Sequence, residues 1–151
     1  MPSVYFVRAA TADDLADLTA MEAACFSDPW SEAAIASHLA SEAAITEIAR
    51  TVDGEAIGYI FGLALGPESE ILRVAVLPEH RIVGVGYSLV DSMLFRAINR
   101  GAKKCFLEVR ESNIAAQCLY ESVCFRVKGK RKKYYKNPTE DALIMVLDPI
   151  V

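Results

Sequence analysis

Three groups of residues in this chain have types and spacings that could do chemistry. Arg81-Ile82-Val83-Gly84-Val85-Gly86 sets two glycines one residue apart, directly after an apolar run and directly before a helical pattern. Glycine removes the Cβ that keeps a ligand off the backbone, so successive N–H groups could close on an anion at the positive mouth of a helix. A dinucleotide-binding turn would carry a third glycine where Leu89 stands, and no acidic residue ends the next strand to hold a ribose. A P-loop would need lysine and then Ser or Thr after the last glycine, where Tyr87 and Ser88 stand. An anion cradle of another kind and a plain tight turn before a helix both remain. The second group is Glu108, a carboxylate in the otherwise apolar run Cys105-Phe106-Leu107-Glu108-Val109. Partial burial makes a carboxylate more basic, which suits a proton acceptor. The plainer reading is a solvated strand residue or an ion pair with Arg110 or Arg73. The third is the run from Lys128 to Asn137, in which Lys128, Lys130, Arg131, Lys132, Lys133 and Lys136 surround Tyr134 and Tyr135. A cationic groove with stacking platforms binds single-stranded nucleic acid, whereas a solvated cationic strand face is the commoner fate of such a run.

These groups need a scaffold, and the pattern of apolar residues and breakers supplies one. Val4 to Val7 reads as a first strand; Thr11, with Asp13 and Asp14 behind it, caps a helix running to about Ala24. A turn at Ser27 to Glu32 follows, and Ser31 caps a second helix carrying Ile35 and Leu39. Ala44 to Thr51 and Glu55 to Leu65 form a hairpin turned by Asp53-Gly54, and Glu70 to Leu77 adds a third strand. Leu89, Val90, Met93, Leu94, Ala97 and Ile98 make a helical stripe ended by Gly101. Lys104 to Arg110 is then a strand that returns by a crossover and so runs parallel to its neighbour. Asn113 caps a short helix to about Val123, and strands near Phe125 to Tyr135 and Asp141 to Leu147 close the chain. The order βααβββαβαββ predicts an α/β (α+β) fold: a central mixed, mostly antiparallel sheet of about seven strands flanked by four helices, in one domain spanning 1–151.

Composition narrows the classes. The 151 residues carry a formal charge of −4, which excludes a generally basic, nucleic-acid-coating protein. Cys25, Cys105, Cys118 and Cys124 form no C-x-x-C pair and sit in apolar segments, so they read as reduced core thiols of a cytoplasmic protein. His38 and His80 stand apart from one another without clustered carboxylates, and no apolar run is long enough for a span. The expectation is a cytoplasmic monomer with no metal, no membrane contact and no stable nucleic-acid partner.

The loop at Arg81 to Gly86, placed after Ile71 to Val76 and before an amphipathic helix, matches the R/Q-x-x-G-x-G/A signature of the GCN5-related N-acetyltransferases. With the segments DPWSE, LEVRESNIAAQCLYESVCF, KKYY and EDALIM, nearly the whole chain resembles the RimI type of ribosomal-protein-alanine N-acetyltransferase. The resemblance implies acetyl-CoA as cofactor, with Val74, Ala75 and Val76 pairing the pantetheine arm and the amides of Ile82, Val83, Gly84, Val85, Gly86 and Tyr87 holding the pyrophosphate. It assigns a cofactor contact to Asn113, which is also a plain N-cap. It makes Glu108 the general base, acting directly or through a water, and Tyr120 the general acid. By spacing alone, Tyr120 is a core tyrosine bonded to a nearby carbonyl. Proton transfer from a phenol to a thiolate is uphill by about 2 kcal/mol in water, so hydrogen-bond stabilisation of the thiolate matters more than full transfer. Trp30 and Tyr134 are assigned to the peptide slot; Phe26, Trp30 and Tyr135 have core or edge packing as the plainer reading. The implied acceptor is the N-terminal alanine of a small-subunit ribosomal protein. An α-amine is about one-tenth neutral at pH 7 and a lysine only about once in 2,500, which favours a chain terminus. Other termini, a lysine or a small amine are the alternatives within this family, and an RNA- or ribosome-binding module using residues 128–136 is the alternative outside it. Two positions depart from the family: Val83 stands where relatives carry a basic residue, and Cys124 replaces a glycine, at about 1 kcal/mol if the backbone keeps positive φ.

Overall fold

Thr11 starts the first helical segment as its type predicts. Its hydroxyl accepts from the Asp13 N–H at 3.3 Å, and the Asp14 carboxylate accepts from the Thr11 N–H at 2.8 Å, which satisfies donors that a helix start leaves free. Asp14 is almost fully buried and also takes Arg8 through both oxygens, and Arg50, each at 2.8 Å. Hydrogen bonds from Arg8 first, opposed by burial and helped by Arg50, hold its carboxyl well below the usual range. One capping residue thus ties the helix start to the first two strands.

The computed structural model describes residues 4–81 and 84–150. Along the chain run β1 (Tyr5–Ala9), a 3-10 turn (Ala12–Asp14), α1 (Leu15–Cys25), α2 (Glu32–Ala40), β2 (Ala44–Thr51), β3 (Ala56–Leu65), β4 (Glu68–Val76), a second 3-10 turn (Pro78–His80), α3 (Val85–Asn99), β5 (Lys104–Arg110), α4 (Ile114–Ser122), β6 (Arg126–Tyr135) and β7 (Glu140–Leu147). The strands form one seven-stranded sheet in the order β1-β2-β3-β4-β5-β7-β6. Only β4 and β5 pair in parallel, as the crossover through α3 requires. The expected α/β (α+β) fold of seven strands and four helices is therefore the observed one. The first strand lies slightly later than the expected Val4 to Val7.

The two faces of the sheet carry separate cores. Leu89, Val90, Met93 and Ala97 of α3 pack with Ile60, Ile71, Leu107 and Met145, all nearly or fully buried. Leu18 and Met21 of α1 and Ile35 of α2 pack with Ile48, Tyr59 and Phe61 on the other face. Each such aliphatic side chain contributes about 1.5–3 kcal/mol by leaving water. Gly101 takes φ +96° behind α3, the left-handed helix stop its position suggested.

Reading all four cysteines as core thiols holds only for Cys105. Cys118 and Cys124 are exposed and Cys25 is half-buried. The inward face of α4 carries Tyr120, and Cys118, two residues earlier, points about 200° round the helix. Cys124 follows α4 at φ +76°, the left-handed conformation that favours glycine. Among the described residues no helix is long and apolar enough to cross a membrane.

Candidate active site

The parallel ladder between β4 and β5 runs only from Glu68 opposite Lys104 to Ile71 opposite Leu107. Beyond that point β4 stays paired with β3, Val74 facing Ile60, Ala75 facing Tyr59 and Val76 facing Gly58. Among the described residues no strand takes up the other edge of Val74–Val76, so a row of backbone donors and acceptors faces a wedge in the sheet. Arg81 donates from Nε to the Val76 carbonyl at 2.8 Å, which anchors the approach to α3 on that strand. Gly84 is the N-cap of α3 at φ +79°, with no side chain capping the helix. A Cβ built on Gly84 would meet nothing within 4 Å, so backbone conformation, not crowding, calls for glycine there. Gly86 is different: a Cβ would sit 3.2 Å from Leu119 Cδ2, so this glycine lets α4 close on α3. Val85 is buried and Tyr87 half exposed. Ile82 and Val83, the other expected pyrophosphate residues, lie outside the described residues.

The wedge opens into a cavity of about 340 Å³. The α1–α2 connection contributes Phe26, Asp28 and Trp30 to it, and β4 contributes Glu70 to Val74. Glu108, Val109 and Arg110 of β5 and Asn113, Ala116 and Tyr120 around α4 form the opposite wall, with Tyr134 and Tyr135 of β6 above. Glu108, Tyr120, Asn113, Val74, Trp30 and Tyr134 are thereby brought to one place, while Ala75, Val76 and Gly84 to Tyr87 lie outside the cavity lining.

Glu108 is a mostly buried carboxylate, its side chain 14% exposed, and its Oε2 is buried without a hydrogen bond. Arg131 Nε stands 3.5 Å from that oxygen. The plainer alternative, an ion pair of Glu108 with Arg110 or Arg73, is not formed: Arg110 pairs with Glu140 at 3.2 Å and Arg73 with Glu22 at 3.3 Å. Arg110 is drawn towards the β6–β7 turn, where the Lys136 and Pro138 carbonyls also accept from it. Tyr134, half exposed, has its phenol pKa raised by Glu108 first. Burial, and then Glu108, pushes the Tyr135 phenol up to about 12, while the Arg110 guanidinium lies 4.5 Å from its ring centre.

Tyr120 is 6% exposed and packs edge-on against Phe125 at 5.9 Å. Burial first, then Tyr135 and Cys105, raises its pKa, so the phenol keeps its proton at neutral pH. Among the described residues its hydroxyl makes no hydrogen bond, so it is not the carbonyl-bonded core tyrosine that spacing suggested. Asn113 accepts from the Ala116 N–H at 3.1 Å, the N-cap role expected of it. The preceding residue, Ser112, donates its N–H to Glu140 at 2.5 Å, which fixes the entry to α4 against β7.

Sequence reasoning missed Glu70 at the site, and beside it the pairing of Glu22 with Arg73. Glu70 lies opposite Phe106 in the parallel register, which puts it on the same face as Glu108. Burial first, then the Glu108 charge, raises its carboxyl pKa, with Arg131 opposing. Glu22 and Arg73 order the α1–α2 connection. No local pattern marks any of the three, because each gains its surroundings from a strand or loop distant in sequence. The basic run lies on the exposed edge strand β6, where Lys130 meets Glu111 at 2.8 Å and Arg131 meets Glu108.

A parallel pair that parts beside a glycine-capped helix, with a carboxylate and a protonated phenol in the gap, brings together the kinds of group that acyl transfer to an amine can use. The chain belongs to the acetyltransferase (GNAT) family, whose model matches residues 15–124. It is an acyltransferase, and the RimI-type resemblance is borne out by individual relatives. The chain is 31% identical over 139 residues to the putative [ribosomal protein bS18]-alanine N-acetyltransferase of Bacillus subtilis strain 168, covering 92% of each chain. It is 32% identical over 121 residues to the [ribosomal protein bS18]-alanine N-acetyltransferase of Escherichia coli K12, covering 79% of this chain and 80% of that one. The crystal structure of the ribosomal-protein-S18-alanine N-acetyltransferase from Escherichia coli superposes with a TM-score of 0.88 at 29% identity, over 98% of this chain and 96% of that one.

Proposed function

We propose that this enzyme transfers the acetyl group of acetyl-CoA to the N-terminal α-amine of a protein, with the N-terminal alanine of ribosomal protein bS18 as acceptor. The observation that carries this reading is the meeting of Glu108 and Tyr120 in one cavity at the end of the β4–β5 ladder. The residues present suit the co-substrate. A strand edge at Val74–Val76 offers amide partners to a pantetheine arm, and the α3 mouth behind Gly84 offers N–H groups to a pyrophosphate. Bound there, acetyl-CoA supplies the activated thioester.

The chain's own groups then move the protons. Glu108 takes a proton from the incoming ammonium, directly or through one water, so the amine presents its lone pair. As the nitrogen–carbon bond forms and the carbon–sulfur bond breaks, the nitrogen releases its second proton to solvent, and Tyr120 donates a hydrogen bond to the departing thiolate, whose charge it stabilises or neutralises. Trp30 of the α1–α2 connection and Tyr134 of β6 wall the peptide, and Asp28, Glu70 and Glu108, against Arg73 and Arg110 that are engaged by Glu22 and Glu140, give the cavity the negative character that draws a cationic terminus. The relatives named as bS18-alanine acetyltransferases support the acceptor, as does the greater neutral fraction of an α-amine over a lysine.

The test is mass spectrometry of a peptide that begins with free alanine and contains an internal lysine, incubated with acetyl-CoA and enzyme. Acetyl on the α-amine is expected. Acetyl on lysine, or no transfer despite measurable coenzyme binding, overturns the acceptor assignment.

A further inference from the structure

Glu22 is a carboxylate with no exposure at all, set near the end of α1. A buried charge of this kind is costly unless donors converge on it, and here they come from three directions. The Trp30 backbone N–H donates to Oε2 at 2.8 Å, the fully buried Tyr59 hydroxyl of β3 donates to Oε1, and Arg73 Nη1 of β4 lies 3.3 Å from Oε2. Arg73 extends the network into the α1–α2 connection. Its guanidinium stands 4.1 Å above the Phe26 ring, and Nη2 donates to the Asp28 carbonyl at 3.2 Å. Phe26, Asp28, Trp30 and Arg73 all line the cavity that holds Glu108, whereas Glu22 and Tyr59 do not reach it.

Besides these groups, the connection is tied by the Phe26 N–H on the Glu22 carbonyl at 3.1 Å and by the stacking of Trp30 on Phe61. It is irregular backbone, and Pro29 has no N–H to give. We propose that Glu22 is the positioning residue of the acceptor wall: its buried carboxylate fixes Trp30 through the backbone, and Phe26 and Asp28 through Arg73, opposite Glu108. The functional part of this inference rests on the cavity being the peptide site proposed above; the structural part does not.

Trp30 is the single tryptophan of the chain, so intrinsic fluorescence reads this wall directly. It stacks on Phe61 at 4.9 Å and meets His38 edge-on at 5.6 Å. Glu22→Gln keeps the size of the side chain but removes its charge and turns one acceptor into a donor. In this variant the Trp30 emission is expected to shift to the red and acrylamide quenching to increase, with no substrate present. Displacing the wall while leaving the reacting groups in place is expected to raise the KM for the alanine-first peptide about tenfold, with kcat and the KM for acetyl-CoA within about twofold of wild type. Tyr59→Phe removes a donor from the same carboxylate but leaves its charge, Trp30 and Arg73 in place, so it lowers Tm without moving the emission or the peptide KM. Should Glu22→Gln fail to fold by far-UV circular dichroism, Arg73→Met reads the same wall from its other end, with the same red shift and KM rise expected.

An unmoved emission in the folded variant overturns the proposal. So does a red shift that Tyr59→Phe reproduces in full, since the effect would then be general loosening of the core. A loss confined to kcat overturns it as well. If the wild-type enzyme acetylates no α-amine, the peptide-site reading fails, while the substrate-free fluorescence still decides whether Glu22 orders the wall.

Discussion

Replacing Glu108 by glutamine separates a proton acceptor from a structural strand residue. The two side chains are isosteric, and the structure shows little for the carboxylate to lose: its buried Oε2 makes no hydrogen bond, and its ion-pair partner Arg131 is 3.5 Å away with its side chain 56% exposed. A 3.5 Å pair whose cationic partner is largely exposed is worth at most about 1 kcal/mol, so Tm should scarcely change. Removing a general base, by contrast, costs about 100- to 1,000-fold in kcat/KM, or about 3–4 kcal/mol of transition-state stabilisation. The same reasoning predicts a pH signature. Without Glu108 the enzyme depends on acceptors that have already lost their proton, about a tenth of α-amines at pH 7 and nearly all at pH 9, so the variant should recover several-fold, up to about tenfold, over that range. The assay is steady-state transfer to the alanine-first peptide, followed by thiol release from acetyl-CoA between pH 6.5 and 9. Retention of more than about a tenth of wild-type kcat/KM at pH 7, or a deficit that does not narrow with pH, would refute Glu108 as the base.

Tyr120→Phe should lower kcat about 10- to 100-fold while costing under about 1 kcal/mol of stability, because among the described residues its hydroxyl makes no hydrogen bond that its removal would break; kinetics and urea unfolding on one preparation check both halves. For Glu70, burial first and then Glu108 raise the carboxyl, so the folded protein holds this proton more tightly than the unfolded chain does. The resulting stabilisation is full below the ordinary value of 4.5 and is lost as pH rises through the raised one. Glu70→Gln should therefore raise Tm at pH 7, and the gain should shrink towards zero near pH 4 in a thermal-shift series. Cys124→Gly relieves a side chain at φ +76° and should stabilise the fold by up to about 1 kcal/mol in urea, less the extra freedom glycine gains in the unfolded chain.

The candidate site of this enzyme lies at one break in the sheet. Among the described residues five of the six strand pairings are antiparallel, and the parallel pair β4–β5 stops after four residues on each strand, Glu68–Ile71 against Lys104–Leu107. The break exposes backbone where a regular sheet would consume it, and it gives the helices and the last hairpin a common cavity to line. Glu108 stands just beyond the last paired residue, Leu107, where the strand is still held by β7 on its other side, Glu108 facing Ile144. A rigid backbone thus presents the carboxylate at the edge of an open space.

Much of this was legible in the chain. Asn113 and Ser31 cap the helices they were expected to cap, Thr11 caps the 3-10 turn that leads into α1 where the α-helix itself was expected, Gly101 ends α3, and Lys104–Arg110 is a strand with the expected limits. The family resemblance also pointed to Glu108, Tyr120 and the α3 mouth as the candidate site. Each of those features depends on a few neighbouring residues, through a capping hydrogen bond, a left-handed glycine or an alternating apolar pattern, so local sequence is enough to specify it. Tertiary structure alone decided which groups face one another. Glu108 meets Arg131 in place of Arg110 or Arg73, Glu70 joins it through a parallel register, Cys118 turns outward, and Glu22 gathers Trp30, Tyr59 and Arg73 from three separate segments. Those contacts are set by strand register and by packing between residues dozens of positions apart, where a shift of one residue reverses the face on which a side chain lies, and no short stretch of sequence encodes that choice.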